Sequence, residues 1–198
     1  RQRQMCIETE TQGIDIGFTA RPLPGLSFNG GMSFLDATFQ SFPGAQCYAG
    51  QPVPSCAQNG TFDAAGLNLP VTPRFTSTIQ GTYDFPTSGD VVPFVQGNWY
   101  HRSSVNYILN GAPGGFFGAV DTFGANIGIR IGDQLQASLF CKNCTNEHIP
   151  QNIQLDPGDE NDGLTSYGQV FTLDSVRSFG LSLSLRTENR CAGTGFIP

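Results

Sequence analysis

The feature that most constrains this chain is a strict alternation of apolar and polar residues that keeps one parity over long segments. In the segment 14–21 the apolar residues are Ile14, Ile16, Phe18 and Ala20, and the residues between them are Asp15, Gly17, Thr19 and Arg21. A period of two residues is that of a β-strand with one apolar and one polar face. Such runs last about ten residues here, which is the length of a tilted strand that crosses a membrane.

Seven segments share this pattern, and we predict that they form one antiparallel sheet: 14–21, 26–34, 74–85, 91–102, 123–131, 135–139 and 179–186. The connections at 22–25, 86–90 and 132–134 are short, whereas those at 41–72, 104–120 and 147–177 are long and polar. Short periplasmic turns and long extracellular loops are typical of outer-membrane barrels. The sequence therefore predicts an all-β protein, a segment of about seven strands of an antiparallel transmembrane β-barrel.

Most side chains on the polar faces are small and uncharged. Such side chains are more typical of a barrel lumen than of the solvent-exposed face of a soluble sheet. Only 13% of the residues are charged, against about 25% in ordinary soluble domains. An arginine at the bilayer midplane costs about 2–4 kcal/mol. In the predicted register every strand arginine falls on the polar face or near a rim: Arg21, Arg74, Arg102, Arg130 and Arg186. A soluble β-sandwich or lipocalin-like barrel is the alternative, with the apolar face turned to a core.

Charge and hydropathy exclude two further classes. A formal net charge of -6 and ten scattered basic residues argue against nucleic-acid binding, which needs clustered lysine and arginine. No apolar run approaches the 18 residues of a membrane-spanning helix. The chain starts at Arg1 without an apolar leader, so we expect a fragment of a longer protein.

Four motifs, in order along the chain, resemble the barrels of TonB-dependent outer-membrane receptors. The segment 10–37, ETQGIDIGFTARPLPGLSFNGGMSFLDA, is similar to a hairpin of that family. Residues 72–75 (TPRF) resemble its strand entry, residues 142–147 (KNCTNE) a turn near its penultimate strand, and residues 180–186 (GLSLSLR) its closing strand. Cys141 and Cys144 stand where the family more often has other residues.

The resemblance implies that residues 1–187 form roughly the last third of a barrel of about 22 strands, with 188–198 as a C-terminal tail. It further implies a bacterial outer-membrane receptor, in contact with lipid, for active uptake of a scarce solute such as a ferric siderophore, haem, cobalamin or an oligosaccharide. TonB would act through a plug domain that this chain lacks. We expect no enzyme activity, catalytic residue, cofactor or metal. Another outer-membrane barrel, a porin or adhesin, and a secreted β-sandwich binding module are the alternatives.

Candidate site residues follow from the predicted register. Four residues of one strand share the polar face, and we predict that they contact a ligand: Gln96, Asn98, Tyr100 and Arg102. Cys47 and Cys56 lie nine positions apart in a long loop, so we expect a disulfide there, with two free thiols as the alternative.

The remaining motifs are interpreted as structural. Cys141 and Cys144 have the spacing of redox and zinc sites, but on a strand their side chains would point to opposite faces. A bond between them requires the strand to end or bulge there. The acidic segment 156–163 favours a solvated loop over a calcium site. His101 and His148 are isolated in the sequence, and the terminal cysteines Cys6 and Cys191 have no deducible partner.

Overall fold

A computed structural model describes residues 7–48, 51, 55–132, 134–156, 166–172 and 175–186. Within these residues the regular elements are strands and one short 3-10 helix. They are, in chain order, β1 (Glu8–Leu23), β2 (Leu26–Ser41), β3 (Pro43–Gln46), β4 (Thr61–Asp63), β5 (Phe75–Asp84), β6 (Val91–Arg102), β7 (Val105–Asn106), the 3-10 helix (Pro113–Gly115), β8 (Phe116–Phe117), β9 (Val120–Ile131), β10 (Leu135–Lys142), β11 (Asn152–Asp156), β12 (Ser166–Val170) and β13 (Ser178–Leu185). No helix among the described residues has the length and hydropathy needed to cross a membrane.

The seven long strands form one antiparallel sheet in the order β1-β2-β5-β6-β9-β10-β13. They correspond to the seven predicted segments, so the predicted strand count and the antiparallel arrangement are confirmed. Neighbours in the sheet follow one another along the chain, apart from the short hairpins of the long connections. The three short connections lie at one end of the strands. Gly25 takes a φ of +80° in the first of them, a conformation that glycine adopts without strain.

The register aligns the apolar residues of all strands on one face, which we call the outward face. A single row of partners across six strands consists of Leu26, Tyr83, Val95, Ile127, Leu139 and Leu181. The side chain of Ile127 is 61% exposed and that of Leu181 is 72% exposed. A β-sandwich would cover this face with a second sheet, whereas here its apolar side chains lie open, as in a barrel wall that meets lipid.

The opposite face, which we call the inward face, carries the polar partners. One row across four strands consists of Thr19, Asn29, Gln80 and Asn98. Phe94 also lies on this face and is buried, with 1% of its surface exposed. The alternation therefore holds across the sheet.

The polarity of the two faces inverts near the long-loop end of the strands. In β2 the outward residues change from Phe34, which is exposed, to Asp36, while the inward Ala37 and Phe39 are buried. In β9 the outward Asp121 is exposed and the inward Val120 is buried. In a barrel wall, apolar side chains that face outward form a band in contact with lipid. Beyond the inversion the apolar side chains face inward and are buried under the loops, so the inversion marks the outer edge of this apolar band.

The long connections differ from the prediction of plain polar loops. Each contains a two-stranded hairpin, namely β3–β4, β7–β8 and β11–β12. The first folds over a small core made of Phe39, Phe42, Ala45 and Ala64. Val105 and Tyr107 of the second connection pack with Ile153 of the third in another small core. Sequence alternation missed these hairpins because strands of two to five residues are too short to show a period.

Two asparagines of the KNCTNE motif fasten the base of the third long connection. Asn143 has a φ of +48°. Its Nδ2 donates to the carbonyl oxygens of Glu147 at 2.8 Å and Ser175 at 3.1 Å, and its Oδ1 accepts from the Glu147 amide at 3.0 Å. Asn146 accepts from the Arg177 amide at 3.0 Å. The motif therefore ties the start of this connection to its end.

The facing assignment predicts that Ile127→Arg impairs assembly of the intact protein in membranes far more than Asn126→Arg. Only the first change places a cation on the outward face, at a cost of about 2–4 kcal/mol at the bilayer midplane. The measurement is the folded fraction in outer-membrane preparations, read from heat-modifiable electrophoretic mobility. Equal losses for these adjacent positions would contradict the assignment.

The asparagine contacts predict that Asn143→Ala and Asn143→Gly both loosen the base of the third connection. One hydrogen bond contributes about 0.5–1.5 kcal/mol, so the Glu147 amide should exchange with solvent about 3- to 10-fold faster. Hydrogen exchange read by mass spectrometry measures this. Glycine tolerates the positive φ but cannot make the bonds, so retained protection in Asn143→Gly alone would show that backbone conformation, and not the side chain, holds the connection.

Candidate functional site

The inward face of β6 carries the four residues predicted to contact a ligand. Gln96, Asn98 and Tyr100 lie opposite Asn126, Gly124 and Thr122 of β9, respectively. Asn98 is exposed, and Gln96 and Tyr100 are partly exposed. Three of the four residues therefore present amide or phenol groups to the space that the inward face borders.

Arg102 lies on the same face but in a different environment. Only 7% of its surface is exposed. Its Nη2 donates to the hydroxyl of Tyr107 at 3.2 Å, and its guanidinium carbon lies 5.9 Å and 5.7 Å from the ring centroids of Tyr107 and Phe117. The Tyr107 hydroxyl donates in turn to the carbonyl of Pro150 at 2.5 Å. Arg102 thus fastens the second and third long connections, its charge stabilised by two aromatic faces.

A shallow concavity of about 770 Å³ occupies the inward face across β1, β2, β5 and β6. Its floor contains a cross-strand pair of glycines, Gly17 and Gly31. Four polar side chains of one row border this floor: Thr19, Asn29, Gln80 and Asn98. Thr78 and Tyr100, paired with each other, belong to the row of the glycines. The concavity therefore has a bare floor and an amide-rich border.

The alternation in the sequence places both glycines on the polar faces of their strands but does not show that they pair. Residues equally distant from a tight turn face each other in a regular antiparallel hairpin, so counting from the turn at Pro24-Gly25 would set Gly17 opposite Met32. The register shift between Ala20 and Leu23 moves the pairing by one residue and sets Gly17 opposite Gly31.

One ion pair lies on the inward face near the short-turn end. Arg130 of β9 forms an ion pair with Asp84 of β5. Its guanidinium carbon also lies 4.4 Å from the ring centroid of Phe94. At the long-loop end, Arg74 donates to the side-chain oxygen of Asn68 at 3.1 Å. These arginines hold neighbouring segments together.

His101 is isolated in the sequence but not in the structure. It lies on the outward face of β6 opposite Asp121 of β9, and its Nδ1 is 2.9 Å from the Asp121 Oδ1. The indole Nε1 of Trp99 donates to the same oxygen at 2.9 Å. This cluster lies at the edge of the apolar band, where aromatic girdles of barrels occur. His148 contacts Asn146 and Phe171.

Four cysteines lie within the described residues. Cys47 and Cys56 have sulfurs 2.03 Å apart and Cα atoms 5.9 Å apart, which is bonding geometry. Cys141 and Cys144 are also bonded, with Cα atoms 5.7 Å apart. The strand ends between them, because β10 stops at Lys142 and Asn143 turns the chain.

Several features named in the sequence analysis lie outside the described residues: Cys6, Cys191, the tail 188–198 and all of the acidic segment beyond Asp156. Among the residues that the structure describes, His, Cys, Asp and Glu side chains form no group of three or more that could hold a metal ion.

Comparison with models of protein families finds no match, and comparison with curated proteins finds none. Two solved structures share the fold. The siderophore receptor PiuA from Acinetobacter baumannii is 13% identical with a TM-score of 0.63, and the alignment covers 90% of this chain and 22% of the receptor. The ferric yersiniabactin uptake receptor FyuA from Yersinia pestis is 12% identical with the same TM-score, covering 90% of this chain and 24% of the receptor. The chain therefore spans about a quarter of these receptors and has the fold of a segment of their β-barrels.

Proposed function

We propose that this chain is part of the barrel wall of a bacterial outer-membrane receptor that takes up a scarce solute, with a ferric siderophore as the first candidate. The observation that carries the proposal is the sorting of the seven-stranded sheet into an open apolar face and a neutral polar face. A bilayer on one side and a watery lumen on the other account for both faces. The fold shared with a siderophore receptor and with a ferric yersiniabactin uptake receptor supports the same role.

The two edges of the sheet support a larger closed barrel. Among the described strands, β1 pairs only with β2, and β13 pairs only with β10. Unpaired backbone groups in lipid cost several kcal/mol each, so membrane sheets close on themselves. We propose that further strands of a longer protein complete this barrel, to about 22 strands as in plugged outer-membrane transporters. A plug domain inside it would couple uptake to TonB.

The direct test is uptake by cells with and without the gene for the complete protein. We expect accumulation of iron-55 from a ferric siderophore to require both this gene and TonB. A porin, the alternative barrel, would admit solutes without TonB. Uptake that persists in a strain without TonB would therefore contradict the receptor proposal.

Three residues of β6 form the proposed ligand contact: Gln96, Asn98 and Tyr100. We expect the double variant Asn98→Ala, Tyr100→Ala to weaken solute binding by the complete receptor about tenfold or more, since each lost hydrogen bond to a ligand is worth roughly 1 kcal/mol. Val95→Ala on the outward face of the same strand is the control and should leave binding unchanged. Isothermal titration calorimetry measures both. Equal changes in binding for the double variant and for Val95→Ala would contradict a ligand contact on the inward face.

Arg102 should behave differently from its three neighbours. Its guanidinium is buried against Tyr107 and Phe117, so Arg102→Ala should release the second and third connections. We expect faster proteolysis within residues 104–120 and 147–177, and Tyr107→Phe, which loses the bond to Pro150, should show a smaller increase of the same kind. Loss of ligand binding with unchanged proteolysis would instead place Arg102 in the ligand contact.

A further inference from the structure

One row of the sheet brings a serine, a histidine and an aspartate side by side on the outward face. Ser77 of β5 lies directly opposite His101 of β6, and His101 lies directly opposite Asp121 of β9. All three have the parity of the apolar outward residues in their strands. They come from three strands, so the register connects them and no motif in the sequence does. A hydroxyl, a base and an acid in this order are the parts of a serine hydrolase.

His101 and Asp121 have the geometry of a general base that an acid holds in place. The Nδ1 of His101 lies 2.9 Å from the Oδ1 of Asp121, and the Nε1 of Trp99 donates to the same oxygen at 2.9 Å. A carboxylate at Nδ1 keeps the proton of the neutral ring on that nitrogen and leaves Nε2 as the basic atom. Since β5 and β9 flank β6 on opposite sides, Nε2 is turned toward the side on which Ser77 lies.

Ser77 carries a polar group that its surroundings do not use. It is 1% exposed, and its Oγ has no hydrogen-bond partner among the described residues. A buried hydroxyl without a partner lowers stability, and alanine at the same position would avoid this cost. Residues directly opposite each other have Cβ atoms about 4.5–5.5 Å apart, and rotation about χ1 moves a serine Oγ by about 2 Å. The hydroxyl therefore lies within reach of His101, and catalytic hydrogen bonds commonly tighten only when substrate binds.

The row lies at the depth at which a bilayer lipid has its ester bonds. On β9 the outward side chain changes from the apolar Phe123 to the exposed Asp121 within two residues. The apolar band of the outward face therefore ends at this row. Lipid esters join the headgroup to the acyl chains, so they lie at the same boundary between polar and apolar zones.

An apolar groove of about 410 Å³ lies on the outward face next to the row. Ile79, Trp99 and Phe123, each two residues from a member of the row, border the groove. Gly97 leaves it open, because a Cβ atom there would have no neighbour within 4 Å. Such a groove offers an acyl chain an apolar place directly below the ester.

We infer that Ser77, His101 and Asp121 form an esterase site for acyl esters of outer-leaflet lipids. The Ser77 Oγ attacks the ester carbonyl carbon while Nε2 of His101 takes its proton. The bond from the carbonyl carbon to the alkoxy oxygen then breaks, the alcohol leaves with the proton from Nε2, and the acyl group stays on Oγ. Water attacks the acyl-serine through the same base, and the carboxylic acid leaves as Oγ regains its proton. Ester and water thus give acid and alcohol without another reactant.

The test is covalent labelling of the complete protein in detergent with a fluorophosphonate, which phosphonylates a serine hydroxyl activated by a base. We expect the adduct at Ser77, located by mass spectrometry of proteolytic peptides and absent in Ser77→Ala. His101→Ala should slow labelling at least about 100-fold, since a general base contributes this much or more. Ser138→Ala, a buried serine of the inward face, and His148→Ala, in the third connection, are matched controls and should label like the unchanged protein.

Asp121 acts through His101 and is a positioning residue. In Asp121→Asn the amide donates to Nδ1, which holds the ring proton on Nε2 and removes the base. We expect labelling at Ser77 to slow at least about tenfold, with an unchanged folded fraction by heat-modifiable mobility. Asp121→Glu keeps the carboxylate and should recover part of the rate. A folded Asp121→Asn protein that labels at the full rate would overturn the arrangement.

The burial of Ser77 requires a variant that opens access for the reagent. The ring centroid of Phe75 lies 5.7 Å from that of His101, and Phe75 is the next outward residue of β5 beside Ser77. Phe75→Ala should therefore label at Ser77 at least as fast as the unchanged protein. Absence of the adduct from both proteins, or equal labelling with and without the His101 side chain, would overturn the site.

Hydrolysis of a lipid tests the substrate class. The probe is dioleoyl phosphatidylethanolamine in mixed micelles, from which the complete protein should release oleate and Ser77→Ala should not. Release by neither protein, or equal release by both, would overturn the lipid substrate. Uptake of iron-55 through TonB does not use Ser77, so it should be the same in Ser77→Ala, and loss of the esterase inference leaves the proposed receptor function standing.

Discussion

The whole structure depends on the need of every backbone N–H and C=O group in a bilayer to find a partner within the protein. A sheet meets this need only when each strand has neighbours on both sides, and it then turns alternate side chains to lipid and to the lumen. That requirement imposes the period-two alternation seen in all seven long strands. It also fixes the register, because a shift of one residue would move the row of Val95, Ile127 and Leu139 into the lumen and the arginines into lipid.

Single strands contain two parts with opposite polarity: one part has its apolar side chains on the outward face, and the other has them on the inward face. In β2 and β9 the apolar side chains face outward up to Phe34 and Phe123, and beyond these residues the buried apolar side chains face inward. The outward side chains there are polar and exposed, while the long connections fold over the inward side. The strands therefore continue as a rigid support for the loops, and the small core around Phe39 rests on the barrel wall and not on the loop alone.

Alternation and turn chemistry predicted the strands, their order and the facing of most side chains, because these depend on local pattern. Contacts between distant loops could not be predicted in this way. The burial of Arg102 depends on Tyr107 and Phe117 of the next connection and on Pro150, 43 residues beyond Tyr107. The bond from Asn143 to Ser175 depends likewise on how a long connection returns. The pairing of Gly17 with Gly31 could not be predicted by counting from the turn either, because the register shift between Ala20 and Leu23 moves it by one residue.

The distribution of charge follows from the same constraint. An arginine in lipid costs about 2–4 kcal/mol at the bilayer midplane, so the arginines of a barrel wall lie in the lumen or near a rim. In this chain Arg102 and Arg130 are held by aromatic rings and, for Arg130, by Asp84. Each therefore stabilises a contact between segments and is withdrawn from the open lumen. The border of the inward concavity is formed by threonine, asparagine and glutamine, whose hydrogen bonds depend on geometry and not on net charge.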